Sequence, residues 1–429
     1  MRLLDVHSST LSLTSFEGNR IPKYAILSHT WSSDPADEVL FADIGNGTYE
    51  NKAAFAKVKQ CLERARRDKF DWVWIDTCCV DKGSSAELSE ALNSMYMWYK
   101  KSEVCYVFLE DVEAEKSMPV FPTEFQKSRW FTRGWTLQEL IAPANVQFFN
   151  HTWSMVGSKA EMTDFISEIT GIDSRVLAGS SPSICNVAQR MSWASKRETT
   201  RVEDAAYSLL GIFGVHMYML YGEGENAFIR LQEQILQYTE DYSIFVWHEH
   251  PEDKRSELRS RYRGVLAYSP SNFCRLGCDK CTQPRTWNYL ELEHTYHDAV
   301  LSNNPDSKCH YRGDPPMLSV RGLRLSLPAV RLNPDKSELL VYLYCTLKNR
   351  RQDLYLKLIR ADLGRDRYHR EELIWLSDSR PEDLKFEIEP FYLRARLHPL
   401  KSVSMNLSTS VQVSESMSDP YTKLRQVSS

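Results

Sequence analysis

The chain has 429 residues, 42% hydrophobic and 26% charged, the proportions of a globular protein large enough for two or three domains. Its net charge of −4 excludes a broad basic footprint, so no nucleic-acid partner is expected. Several of the ten cysteines (Cys78, Cys79, Cys105, Cys345) sit in apolar runs as small hydrophobes, and no basic stretch followed by an apolar one opens the chain; a disulfide scaffold and a secretory leader are therefore not expected, and the reducing cytoplasm is the expected location.

Residues 1–155 read as alternating strands and helices. A strand is predicted over Tyr24–Ser28. A helix is predicted over 52–67, with Ala54, Val58, Cys61, Leu62 and Ala65 at helical spacing and basic residues near its end. Phe70–Ile75 reads as a strand ending at Asp76. Ser84 and Glu87 form the pattern of a capping box, opening a helix with Leu88, Leu92, Met95 and Tyr99 inward. Strands at Val104–Leu109 and Asn145–Phe149 flank a helical segment over 124–141, which Pro143 stops. This alternation predicts an α/β fold with a parallel sheet covered on both faces, whose ligands bind at the carboxyl ends of the strands: Ser28 to Trp31, Asp76 to Cys79, and Glu110-Asp111.

Residues 156–240 read as a helical extension. Thr200 and Glu203 have the spacing of a second capping box, and Phe228, Leu231 and Ile235 form a stripe on a late helix. The apolar stretch from Ala205 to Gly222 is broken by Gly211, Gly214 and His216 and flanked by acids, so a buried helix and turn are expected there and no membrane span. Residues 241–400 turn to short alternating strands (Tyr242–Trp247, Leu318–Leu327, Leu339–Leu347, Leu354–Ile359), expected to form a β-rich, sandwich-like domain. The Ser-rich tail, 401–429, is expected to be disordered.

Five long segments, in order, resemble the fungal heterokaryon incompatibility (HET) family: Pro22–Trp31, Trp74–Lys82, Ser85–Met95, Arg129–Leu140 and Leu220–Ala227. The resemblance covers about residues 1–240. It implies a role in fungal non-self recognition or innate immunity ending in programmed cell death, with self-association and a separate sensor protein as partners, since no phosphate-cradling Gly-rich loop is present here. The first 155 residues are also similar to TIR domains, which have a flavodoxin-like parallel sheet. Trp135 to Leu140 resembles the TIR helix whose glutamate carries NAD-cleaving chemistry, although Thr136 stands where that motif has Cys. That similarity implies Glu139 as the catalytic carboxylate of an NAD glycohydrolase, with NAD as substrate and no further cofactor. Ser28, His29, Trp31, Asp76 and Trp135 would then be nucleotide contacts.

Residue chemistry leaves alternatives open. Trp135 and Glu139, four apart, share a helical face, so an indole and a carboxylate could flank an oxocarbenium-like centre; equally, Trp135 belongs to the core and Glu139 pairs with Arg129 or Arg133. Asp76 either holds a ribose hydroxyl or caps its loop, and His29 is a base or a hydrogen-bonded loop residue. Cys78-Cys79 reads as buried thiols rather than a nucleophile. Gly222 to Ala227 fits a dinucleotide fingerprint only formally, because it follows a helical region and carries two carboxylates; a turn is expected. Cys274, Cys278 and Cys281, with Cys309-His310, are spaced too irregularly to support zinc, and no metal site is expected. A non-enzymatic TIR-like oligomerisation and signalling module remains the alternative to the enzyme.

Overall fold

The computed structural model describes residues 1–32, 34–113, 121–248, 264–274, 292–294, 314–319, 322–332, 337–347, 352–360, 367–377 and 387–393. The expected tail and the residues Cys278, Cys281, Cys309 and His310 lie outside them; Cys274 is described and buried.

The first sheet contains β1 (Arg2–Asp5), β2 (Leu13–Ser15), β3 (Ala25–His29), β4 (Trp72–Trp74), β5 (Val104–Phe108), β6 (Val146–Phe149) and β7 (Met155–Ser158), in the order β2-β1-β4-β3-β5-β6-β7. The central four, β4-β3-β5-β6, are parallel. The expectation of a wholly parallel sheet is corrected at both ends. The hairpin β1–β2 adds antiparallel to β4, and β7 adds antiparallel to β6. Every residue of β3 and β5 is buried, as strands covered on both faces must be.

The helices that cover this sheet follow from their sequences. Between β3 and β4 come the short α1 (Phe41–Asn46) and then α2 (Phe55–Arg67), which buries Val58, Cys61, Leu62 and Ala65 and carries Arg64, Arg66 and Arg67 in its last turn, where the helix dipole favours cations. After β4 comes one turn, α3 (Asp76–Cys79), and then α4 (Ser85–Lys101), with Ala91, Leu92, Met95 and Tyr99 buried and Leu88 only partly so. Ser84 does cap the Glu87 N–H, but the Glu87 carboxylate does not return to Ser84: it binds Arg2 and the Asp81 N–H, tying β1 to the loop after α3.

The single helix expected over 124–141 is broken into α5 (Phe121–Lys127), one 3-10 turn at Arg129–Thr132, and α6 (Thr136–Ile141). The break has a cause. Asp111, after β5, accepts hydrogen bonds from Ser128 Oγ and the Arg129 N–H, both at 2.7 Å, and Ser128 caps the Trp130 N–H. A tertiary carboxylate thus competes with the helix for its own backbone.

Residues 163–236 are helical: α7 (Thr163–Thr170), α8 (Ser174–Leu177), α9 (Val187–Ser192), α10 (Asp204–Tyr207), α11 (Leu210–Phe213) and α12 (Asn226–Leu236). The apolar stretch from Ala205 to Gly222 holds the two short helices α10 and α11, with Gly214 ending α11 in the left-handed region at φ +67°. Among the described residues no helix is long and apolar enough to cross a membrane. The expected capping box at Thr200–Glu203 does not form. Glu203 instead accepts from the N–H groups of Gly222 (2.8 Å) and Gly224 (3.0 Å), pinning the acidic Gly-rich turn that leads into α12.

Tyr242–Phe245 is a 3-10 turn capped by Asp241, not the expected strand. The β-rich part comprises β8 (Leu292–His294), β9 (Met317–Ser319), β10 (Gly322–Arg331), β11 (Glu338–Leu347), β12 (Gln352–Arg360), β13 (Arg367–Ser377) and β14 (Glu387–Leu393). The expected sandwich of two facing sheets is not what they build. They form one separate, mainly antiparallel sheet, and the β10–β11 pairing closes β10-β11-β12-β13-β14 into a ring. Closure leaves none of these five strands as an open edge.

Candidate functional site

Strand β3 is the pivot of the first sheet. The connection after it leads to β4 on one side, and the chain then returns to β5 on the other. In open α/β sheets such a reversal leaves a crevice at the carboxyl ends of the two diverging strands. Ser28 and His29 end β3 there, and their side chains point to opposite faces because adjacent strand residues alternate.

Ser28 faces α6. It is fully buried and donates its hydroxyl to Glu139 Oε2, while accepting from Trp130 Nε1 at 2.8 Å. Tyr99 lies within hydrogen-bonding reach of the Glu139 carboxyl, and its hydroxyl donates to the Leu27 carbonyl at 3.0 Å. Glu139 is only 7% exposed. Burial drives its carboxyl up to about 8, the nearby Asp76 charge adds to that, and Ser28, Tyr99 and Arg197 only partly oppose it. At neutral pH the carboxyl is therefore largely protonated. Its pairing with Arg129 or Arg133 does not occur: Arg129 reaches the Trp31 carbonyl, and Arg133 reaches Thr200 Oγ1.

His29 faces the other way. Its Nε2 is 3.7 Å from Glu38 Oε2, and Lys57 binds Glu38 Oε1 at 2.8 Å. Burial alone would raise the Glu38 carboxyl, but His29 and Lys57 together hold it well below the ordinary range. His29 thus joins a buried charge cluster that anchors the loop leading to α1, apart from Glu139.

Trp31 and Asp76 come together at the rim. The indole N–H donates to Asp76 Oδ2 at 3.1 Å, the Lys82 ammonium lies 3.6 Å from the Trp31 ring centroid, and Lys82 pairs with Asp76 at 3.3 Å. Trp31 remains 37% exposed, an aromatic face over which a cation already sits. Trp135 does not join them. It precedes α6, packs against the core, and lies near enough to Asp204, at the start of α10, to help hold down that carboxyl's pKa against the larger upward effect of burial. Cys78 and Cys79 are buried thiols whose pKa values burial raises, which removes them as nucleophiles.

Helix α6 is held at both ends by later parts of the chain. At its start, the strap 195–200 lies against residues 132–136: Glu198 N donates to the Thr132 carbonyl (2.6 Å), Gly134 N donates to the Glu198 carbonyl (2.9 Å), and Arg197 Nη1 donates to the Arg133 carbonyl and Thr136 Oγ1. At its end, the buried Lys159 ammonium donates to the carbonyls of Leu140 (3.1 Å) and Pro143 (2.5 Å). Trp130, Tyr99, Lys82, Arg197 and Lys159 join the site although no local pattern marks them as functional. Trp130 and Lys82 lie inside quoted motifs and Tyr99 on a predicted inward stripe; Arg197 and Lys159 carried no local signal.

Two family models match the chain: Heterokaryon incompatibility protein (HET), over residues 24–126, and a domain of unknown function (DUF8212), over residues 226–296. The first match contains Ser28, His29, Trp31, Asp76 and Lys82; Trp135 and Glu139 lie beyond it. The chain is 47% identical over 221 residues to the vegetative incompatibility protein HET-E-1 of Podospora anserina, an alignment covering 50% of this chain and 16% of that protein. It therefore spans only a small part of that relative's length. No solved structure matches.

Proposed function

Because the chain carries a heterokaryon incompatibility (HET) domain, we propose that it is an incompatibility effector that triggers cell death after fungal non-self recognition, with a TIR-like α/β half that cleaves NAD when assembled. The parallel order β4-β3-β5-β6, with the first strand second from one end, is that of flavodoxin-like sheets and supports the TIR-like reading. The observation that carries the chemistry is the carboxyl of Glu139, bonded to Ser28 at the carboxyl end of the pivot strand and close enough to Asp76 to feel its charge.

Breaking the nicotinamide–ribose bond leaves positive charge on the anomeric carbon; the electron pair departs with nicotinamide. A fixed carboxylate stabilises that centre, and water attacks it, giving ADP-ribose, nicotinamide and a proton. The 7% exposure and the raised pKa of Glu139 describe a resting state: the strap must shift and the carboxyl must ionise before it can act. Self-association, prompted by a separate sensor, would supply that change. The same burial favours a second reading, a module that signals by oligomerising without chemistry. Nicotinamide release from NAD by assembled protein, measured by chromatography, separates the two. The enzyme reading expects release that Glu139→Ala abolishes while the circular dichroism spectrum is kept; assembly without release leaves the signalling module.

A further inference from the structure

A small open cleft lies between the end of α7 and residues 192–197. Trp193 lines it while only 3% exposed, and the indole N–H has no hydrogen-bond partner among the described residues. A buried donor without an acceptor is uncommon in folded proteins and asks for a ligand or water. Lys196 and Arg197 add positive charge to the lining. Among the described residues Arg197 uses Nε and Nη1 on protein oxygens and leaves Nη2 without one, and Lys196 forms no ion pair or hydrogen bond. Glu168, exposed and likewise unpaired among the described residues, also lines it, with Phe131 and Ile169 as the apolar part.

We propose that this cleft binds a small phosphorylated, hydroxyl-bearing molecule of the sugar-phosphate or nucleotide class, and that its occupancy is felt at Glu139 through the strap. Two donors, the ammonium and the guanidinium Nη2, match the acceptor oxygens of a phosphate, and the buried indole of Trp193 lies in the wall beside them. Glu168 would repel a bare anion but accepts hydrogen bonds from hydroxyls, so a polyol body satisfies both signs of charge at once. The route to Glu139 is short. Arg197 donates to Arg133 O and Thr136 Oγ1 at the start of α6, and its charge is felt by the Glu139 carboxyl. A phosphate on Nη2 neutralises that charge and pulls on the same side chain. The inference concerns binding and stands independently of NAD cleavage.

The test uses the full chain with 15N-labelled tryptophan, the Trp193 indole signal being identified by its loss in Trp193→Phe. Inorganic phosphate, ribose 5-phosphate and ADP are titrated separately. Saturable movement of that signal by ribose 5-phosphate or ADP is expected, with binding weakened about tenfold or more in Lys196→Glu, whose side chain is exposed and whose fold should be unaffected. No saturable movement with any probe, or equal affinity in Lys196→Glu, overturns the proposal. Equal binding of inorganic phosphate and ribose 5-phosphate overturns the assignment of a hydroxyl-bearing ligand.

Discussion

Ser28 and Glu139 are 111 residues apart in the chain, and the hydroxyl of the first donates to the carboxyl of the second with both side chains buried. That bond joins the pivot strand of the sheet to α6. It leaves an ionisable group where water cannot easily stabilise its charge, which gives Glu139 an unusual pH signature.

The folded pKa of Glu139, about 8, lies above that of an unfolded glutamate, about 4.3. Between those values the folded state holds a proton that the unfolded state has lost, so the contribution to stability is complete below the lower pKa and is lost as pH rises through the upper one. Glu139→Gln mimics the protonated form. It should match the parent in urea denaturation near pH 5 and exceed it by a few kcal/mol, as an order-of-magnitude figure, at pH 9. Parallel pH dependence in the two proteins would count against a neutral carboxyl at this position.

Ser28→Ala removes the acceptor of Trp130 Nε1 and the donor to Glu139 together. Two buried polar groups lose a partner, and a loss of about 1–3 kcal/mol for each group left unpaired is expected. In Ser28→Ala/Trp130→Phe one of those orphaned groups is gone, so the double variant should lose less than the sum of the singles. Additive losses in a denaturant series would show that the bonds are independent.

A methyl group at Gly134 would lie 2.4 Å from Thr199 Cγ2, so Gly134→Ala must push the strap off the start of α6. A loss of about 1–3 kcal/mol is expected, as for other overpacked sites. Thr199→Ala removes the clashing methyl and should restore most of that loss in the double variant, read as melting temperature. Without that rescue, contact between strap and helix is not what requires glycine at 134.

Glu203 shows the opposite sign from Glu139. Its own backbone N–H, with those of Gly224 and Gly222, holds its carboxyl below the ordinary range. Stability from this group is therefore present above the unfolded pKa and lost as pH falls through the folded one. Glu203→Gln should cost about 1–2 kcal/mol at pH 7, and the deficit should shrink towards zero as the pH is lowered below 4. Hydrogen exchange at the Gly222 and Gly224 amides should accelerate in the variant at neutral pH.

The sequence by itself determined the α/β character of the first half, the position of β3, β5 and β6 within a residue or two, the inward faces of α2 and α4, and the family resemblance. Each of those rests on local periodicity, capping chemistry or contiguous motifs, which neighbouring residues suffice to express. Only the tertiary structure decided that the helix expected over 124–141 breaks at Ser128, because the competing acceptor is Asp111, 17 residues earlier. It also decided that Trp135 and Glu139, which share a helical spacing, part company: Trp135 precedes the first residue of α6 and turns to Asp204, while Glu139 turns to Ser28. The edge strands β1, β2 and β7, the closure of the β10–β14 ring, and the burial that makes Glu139 a neutral acid all depend on partners far along the chain. Spacing can announce that two residues lie on one face; which of them is taken out of water is settled by what packs against that face.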